Sequence, residues 1–346
     1  MKVNILSNKI SWFGKYSGYE CLPDYFARNI DATINIAKYN LYNKIVGKYY
    51  KIQNNWNYRS EDILNEIRFC SKVSNADVSH ILYLENHLHL LDKLKKPEKK
   101  LFGTVHLPIS QWGSDKLQKL SALENLILLY EEEENEFSKY IHPSKIHIIK
   151  HGVDINFFKP GNPAAVIKNK VLFVGHFLRN FDMTLKVYQA ICKDVSSEIQ
   201  FHFIIPSSFR NTPVLQKLAQ NPNVFFHEKL SDEELLEQYQ TSYILVMPMS
   251  DSGANTAIIQ ALSVGLPIVT TDVGGIRSYG GGGVFPVIEN NNVEGMCSLI
   301  NRYLFDLEFR DKIAEAERVF SEEYLDWNLI SRQHVEFYKQ SLLTLA

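Results

Sequence analysis

Between Ser250 and Thr256 the chain reads Ser-Asp-Ser-Gly-Ala-Asn-Thr, a polar loop of small residues that runs into apolar positions at Ile258, Ile259, Leu262 and Val264. A helix begun at Gly253 and Ala254 leaves backbone N–H groups open near Asn255 and Thr256. Its dipole makes that end a seat for an anion. A second stretch, Gly175-His176-Phe177-Leu178-Arg179, is a cationic turn between the apolar run Val171–Val174 and a helical pattern over Asp182–Cys192. A cation at a helix start is misplaced by a few tenths of a kcal/mol, which favours a ligand-binding use over a solvated one. The third candidate is His106, an imidazole directly after the apolar run Leu101–Val105. The carboxyl end of a strand is where an α/β sheet presents its reactive groups.

These residues need strands and helices to hold them. Tyr243–Met247, closed by Pro248, reads as a buried parallel strand. Gly265 and Pro267 stop the helix after the polar loop, Ile268-Val269 starts the next strand, and Asp272-Val273-Gly274-Gly275 turns sharply. Two small-residue loops thus leave one strand edge, the usual ligand edge of an open α/β sheet. At the start of the chain Lys2–Leu6 predicts a strand. An aromatic, Gly-containing loop follows, with Gly14, Tyr16, Ser17, Gly18 and Tyr19 as candidates, then a helix-like run toward Tyr39. From Tyr39 to Asn57 the chain is dense in Tyr, Asn and Lys without a clean period. It reads as a surface excursion or a strand with long loops, of a make-up that binds an anionic lipid surface or a sugar.

Ile63–Val73 and Ile81–Leu94 show helical spacing, with His87 and His89 read as surface or packing residues. Leu126–Tyr130 predicts a strand and Glu131–Glu134 a helix cap. Further strands are expected over Ile199–Ile205 and Val224–Phe226, and Ser231 with Glu234 has capping-box spacing. Gly280–Gly283 reads as a flexible loop and Val293–Ala346 as mostly helical.

With 346 residues the chain exceeds what one core usually covers, so two domains are expected. A formal charge of −2 argues against nucleic acid as the main partner. The first end is nevertheless basic, with nine Lys or Arg against three Asp or Glu from Lys2 to Arg59. Cys21, Cys70, Cys192 and Cys297 lie far apart, which predicts free thiols in a reducing cytoplasm and no metal site. No apolar run approaches the length a bilayer needs, and Met1–Leu6 is too short for a secretory signal. The expectation is a cytoplasmic protein, at most peripheral at the inner face of a membrane.

The run Ser252–Val269, continued by Thr271-Asp272-Val273-Gly274-Gly275, resembles the donor-site motif of GT-B glycosyltransferases of the family 4 group. Lys145–Pro160 is similar to the strand and turn that leave the family's first domain, with His151 where the family usually has Asn. The resemblance implies an α/β GT-B fold, two Rossmann-like domains facing each other across a cleft. Its boundaries would be an acceptor-side domain over residues 1–155, a hinge at 156–168, a donor-binding domain over 169–322, and a terminal helix at 323–346 crossing back, anchored by Trp327 and Tyr338.

The implied reaction is transfer of a sugar from a nucleotide-diphosphate-sugar to a hydroxyl acceptor (a glycan, a glycolipid or a small molecule), as in polysaccharide biosynthesis. Retention of configuration is expected, with neither cofactor nor metal. His106 corresponds to an active-site histidine. His176 and Arg179, after Gly175, correspond to the pair that grips the donor diphosphate. Ser252, Gly253, Asn255, Thr256 and Gln260 fall in the donor motif, and Ser17, Gly18 and Tyr19 on the acceptor side. One departure stands out: the family's two glutamates, eight positions apart, are replaced by Ser252 and Gln260. Gln260 retains an amide for a ribose hydroxyl, whereas Ser252 cannot stand in for a carboxylate. A nucleotide-sugar-binding pseudoenzyme serving as a partner subunit, and a GT-B reaction such as epimerisation, are the alternatives this leaves open.

Overall fold

The computed structural model describes every residue except 9, 11–13, 28–29, 39, 55–59, 89–99, 195–197 and 344–346. The chain divides into two compact units, one of Met1–Phe13, Gly18–His151 and Trp327–Ala346, the other of Gly14–Ser17 and Gly152–Asp326.

The first unit carries strands β1 (Lys2–Ser7), β2 (Asp31–Ile36), β3 (Val78–Ile81), β4 (Lys100–Val105), β5 (Asn125–Leu128) and β6 (Ile146–Ile148), with helices α1 (Leu41–Asn54), α2 (Ser60–Lys72), α3 (Ser114–Lys119) and α4 (Glu134–Phe137). All strand pairs are parallel, in the order β2-β1-β3-β4-β5-β6. β3 and β5 are buried at every residue, as expected for short strands covered on both faces. One side of the sheet packs on Leu6, Phe69, Ile81, Leu101, Leu126 and Phe137. Buried asparagines fix α2 to the sheet: Asn4 Nδ2 donates to Phe69 O, and Asn65 Nδ2 to Ser7 O and Asn35 O. A buried amide left without such partners would cost about 1–3 kcal/mol.

The second unit holds β7 (Lys170–Val174), β8 (Gln200–Ile204), β9 (Val224–His227), β10 (Ile244–Met247), β11 (Ile268–Thr271) and β12 (Val287–Ile288). Its helices are α5 (Phe181–Asp194), α6 (Pro213–Ala219), α7 (Asp232–Thr241), α8 (Thr256–Val264), α9 (Val293–Phe305) and α10 (Leu307–Tyr324). The last helix, α11 (Trp327–Leu343), belongs with the first unit. The strand order β12-β11-β10-β7-β8-β9, all parallel, is the doubly wound order of dinucleotide-binding sheets. Every residue of α8 after Thr256 is buried, which explains its all-round apolarity. It ends at Gly265, whose φ of 65° lets its N–H reach the carbonyls of Ala261 and Leu262. Ser231 and Glu234 close the capping box of α7 through bonds of 3.2 and 2.7 Å.

α11 is tied to the first sheet by buried imidazoles. His80 bonds the Tyr338 hydroxyl at 2.6 Å and the Thr104 hydroxyl at 2.7 Å, and His334 bonds the Tyr19 hydroxyl at 2.8 Å. Burial, joined by the neighbouring His334 and His106, holds His80 well below its ordinary pKa, and burial lowers His334 to about 4. Both are neutral hydrogen-bonding pieces of the core. Trp327 and Tyr338 are buried in the same unit.

Several segments differ from the sequence reading. The run from Leu22 toward Tyr39 contains the strand β2 and no α-helix among its described residues, because it pairs along the full length of β1. Residues 41–54, read as an irregular excursion, form α1; Asn43 and Gly47 face inward at a spacing of four, too sparse a buried stripe to stand out. Ile81 closes β3, and Leu84–Asn86 is a single 3-10 turn, so the helical spacing there is coincidental; His89 and the rest of that stretch lie outside the described residues. His87 is fully buried with Nε2 on Asn8 Oδ1. Glu133, read as part of a cap, makes no capping bond with its side chain and instead accepts from Ile109 N and the Tyr130 hydroxyl. Gly280–Gly283 is a hydrogen-bonded turn, with Gly282 N on Phe285 O and Val284 N on Gly280 O.

Candidate functional site

In the second unit the chain reverses its direction of winding between the neighbours β7 and β10, so the loops that leave them emerge side by side. Gly175 and Arg179 lie in the first, Ser252, Gly253 and Asn255 in the second, and Thr256 and Gln260 on α8. The loops are joined through backbone: Asn180 N donates to Pro248 O and Ser250 N to Leu178 O.

Arg179 completes the joint. Its Nε and Nη2 donate to Val174 O at 3.0 and 2.9 Å, its Nη1 to Phe177 O at 2.9 Å, and Nη2 reaches Asn255 Oδ1 at 3.4 Å. Gly175 makes this possible. Its φ is 86°, and a Cβ there would stand 2.8 Å from the guanidinium. Burial lowers the guanidinium pKa to about 10, so Arg179 remains a cation at neutral pH. Most of its donors are committed to loop carbonyls and the helix cap, so it brings charge to the start of α8 while acting as a clasp.

His176 stacks on Phe209 with centroids 3.5 Å apart. Burial and then the Arg179 charge lower its pKa, which favours the neutral ring with one N–H donor and one acceptor nitrogen. Asn255 is the N-cap of α8: its Oδ1 accepts from Ala257 N at 3.1 Å, so one first-turn donor is already used. The helix begins at Thr256, beyond Gly253 and Ala254, which belong to the loop. Ser252 is buried, its hydroxyl donating to Gly253 O. Gly275 N donates to Ser252 O, and Gly274, with φ 49°, has no room for a Cβ against the Ser252 backbone. The turn after β11 is thereby locked under the loop that follows β10.

Gln260 is 5% exposed and its Nε2 donates to Ser17 Oγ at 3.0 Å. The residues around Ser17 lie on this unit: Lys15 N donates to Asp232 Oδ2, and Tyr16 stacks on Phe157 at 3.9 Å. The three acceptor-side candidates are therefore divided. Ser17 is grouped with the second unit, whereas Gly18 and Tyr19 belong to the first. Gly18 starts the 3-10 helix Tyr19–Tyr25, and Tyr19 is fully buried as a structural ring.

In the first unit His106 follows β4 and Glu85 follows the adjacent β3. Glu85 Oε2 accepts from His106 N at 3.3 Å, and Oε1 stands 3.7 Å from His106 Nδ1. Tyr83 stacks on the imidazole at 4.4 Å and Tyr19 meets it edge-on at 4.8 Å. Both ring nitrogens are buried without a hydrogen-bond partner among the described residues. Orphaned buried nitrogens are costly, and a ligand hydroxyl would satisfy one. Glu85 is not among the residues that the sequence singles out. Its position after a strand adjacent to β4 was the available signal, masked by the helical spacing assigned to that stretch.

Two parallel six-stranded sheets with helices define an α/β fold of the GT-B type. The chain superimposes on sucrose-phosphate synthase from Thermosynechococcus elongatus with a TM-score of 0.79 and 13% identity, covering 99% of this chain and 100% of that one. It also matches Anabaena HepE in complex with UDP-glucose, with a TM-score of 0.72 and 14% identity over 98% of this chain and 100% of that one. Residues 168–306 match the family described as Glycosyl transferases group 1. Among curated proteins it is 23% identical over 185 residues to D-inositol 3-phosphate glycosyltransferase of Streptomyces avermitilis, covering 46% of this chain and 40% of that protein. An MMP alpha-(1->4)-mannosyltransferase of Mycolicibacterium hassiacum is 19% identical over 211 residues, covering 60% and 51%. The chain spans less than half the length of the first curated relatives it matches. No described helix is long and apolar enough to cross a membrane.

Proposed function

We propose that the protein transfers a sugar from a nucleoside-diphosphate-sugar to a hydroxyl acceptor in glycan or glycolipid assembly in the cytoplasm, with retention of configuration and without a metal. The observation that carries this reading is the joint of the β7 and β10 loops at the N-terminus of α8, inside the segment that matches group 1 glycosyltransferases. First-turn N–H groups of α8 and the Arg179 charge would stabilise the departing diphosphate, and they are already fixed in place. The acceptor hydroxyl then attacks from the face the leaving group vacates, so no protein nucleophile is needed. His106, whose ring nitrogens have no hydrogen-bond partner among the described residues, hydrogen-bonds the substrate. The UDP-glucose complex of the Anabaena neighbour supports a donor of this class.

A nucleotide-sugar-binding subunit without turnover is the second reading. The internal commitments of the Ser252 hydroxyl and the Gln260 amide, at the positions of the motif glutamates, favour it. Incubating purified protein with a panel of nucleoside-diphosphate sugars and hydroxyl acceptors separates the two. Release of nucleoside diphosphate with a glycosylated product supports transfer, whereas a thermal shift with a donor and no release in any mixture supports binding alone. Loss of activity in EDTA, restored by magnesium, would contradict the metal-free mechanism.

A further inference from the structure

We propose that the outward face of α1 docks the first unit onto an anionic lipid surface. The inward side of this helix is set by Asn43, 2% exposed, and by Gly47, where a Cβ would collide with the Ser60 carbonyl at the start of α2. At about 3.6 residues per turn, Leu41, Ile45, Tyr49 and Ile52 fall in one stripe on the other side, with Tyr42 at its margin. Their exposures are 73, 60, 62, 67 and 70% in that order. Lys44 and Lys48 stand exposed along one flank of the stripe. Residues 32–59 contain five Lys or Arg and no Asp or Glu.

This pattern fits the boundary between headgroups and acyl chains, where the apolar stripe leaves water and the lysines meet negative charge. A second copy of the chain is a poorer occupant. In a two-fold contact each patch meets itself, which would bring the same lysines together on a helix that carries no acidic residue of its own. A helix of fourteen residues is too short to span, so it lies along the surface. Vesicle binding requires neither donor nor acceptor, so this inference stands or falls separately from the sugar-transfer reading.

The test is co-sedimentation of the full chain with phosphatidylcholine vesicles, with and without phosphatidylglycerol, at rising salt. Binding is expected only to the vesicles containing phosphatidylglycerol and should weaken with salt. Replacing Lys44 and Lys48 by Gln should lower the partition coefficient about thirtyfold, and I45S with Y49S should abolish binding. Unfolding curves check that the variants fold, and where one does not, the lipid and salt dependence of the wild type decides. Equal binding to both vesicle types, or no binding to either, overturns the proposal. So does a dimer in solution that I45S with Y49S converts to monomer while vesicles capture neither form.

Discussion

The amide of Gln260 donates to the hydroxyl of Ser17 over 3.0 Å with both side chains almost wholly buried. The bond joins the second turn of α8 to a loop 243 positions earlier in the chain. It uses one N–H of the Gln260 amide, so in the proposed donor site the second N–H and Oε1 remain for ribose hydroxyls.

Replacing Gln260 by Glu keeps that acceptor, and the Ser17 hydroxyl can turn to donate to the carboxylate. Nucleoside diphosphate affinity should be held or raised, since a bond to an ionised acceptor is about twice as strong as a neutral one. Q260L removes both roles and should cost about 1–3 kcal/mol of binding. Calorimetric titration checks this; wild-type affinity in both variants would place Gln260 outside the donor site.

Arg179 is expected to matter to the fold as well as to the ligand. Lysine cannot reproduce a planar fork that serves Val174 O and Phe177 O together. R179K should therefore lower unfolding free energy by about 2 kcal/mol and weaken nucleotide binding. Denaturant curves with unchanged midpoint would show that the clasp is dispensable.

Gly274 tests the lock between the β11 turn and the loop after β10, the proposed donor loop. A methyl group there meets the Ser252 backbone, and the left-handed φ alone disfavours alanine by about 1–2 kcal/mol. G274A should lose stability by at least that amount and lose nucleotide affinity as the loop shifts. Retained affinity at reduced stability would mean that the loop's exact position is unimportant.

For His106 the expected signature is kinetic. H106A should reduce kcat far more than donor affinity, and E85Q should reproduce part of the loss, because Glu85 holds the His106 backbone and faces Nδ1. Equal losses in turnover and donor affinity for H106A would contradict a role confined to the reacting sugar.

His334 sets a pH dependence. Its folded pKa of about 4 lies below the value of about 6.5 in an unfolded chain. The unfolded state therefore takes up the proton first. The contribution is fully present above pH 6.5 and is lost as pH falls from there toward 4, at up to about 1.4 kcal/mol per pH unit. H334Q should be less stable at neutral pH and decline less steeply through that window. An identical slope in the variant would show that His334 does not titrate between the two states.

What was legible in the sequence was local. The α8 unit could be read because Pro248, Gly265 and Pro267 punctuate it, and the Ser231 capping box because its partners are three residues apart. β2 and α1 were not legible. β2 alternates weakly and owes its state to pairing with β1, and α1 buries so little of itself that its exposed apolar residues obscure the period. At the site, the order of loops along the β7 and β10 edges was readable, but the partners were not. The Gln260–Ser17 and Glu85–His106 pairs and the Arg179 clasp come from tertiary contacts that no local pattern encodes.

A structure of the protein with a bound nucleoside diphosphate tests most directly whether the joined β7 and β10 loops hold the leaving group. The account predicts phosphate oxygens within about 3 Å of backbone N–H groups in the first turn of α8, with the Arg179 guanidinium beside them. A nucleotide bound elsewhere, with that turn unoccupied, would contradict it.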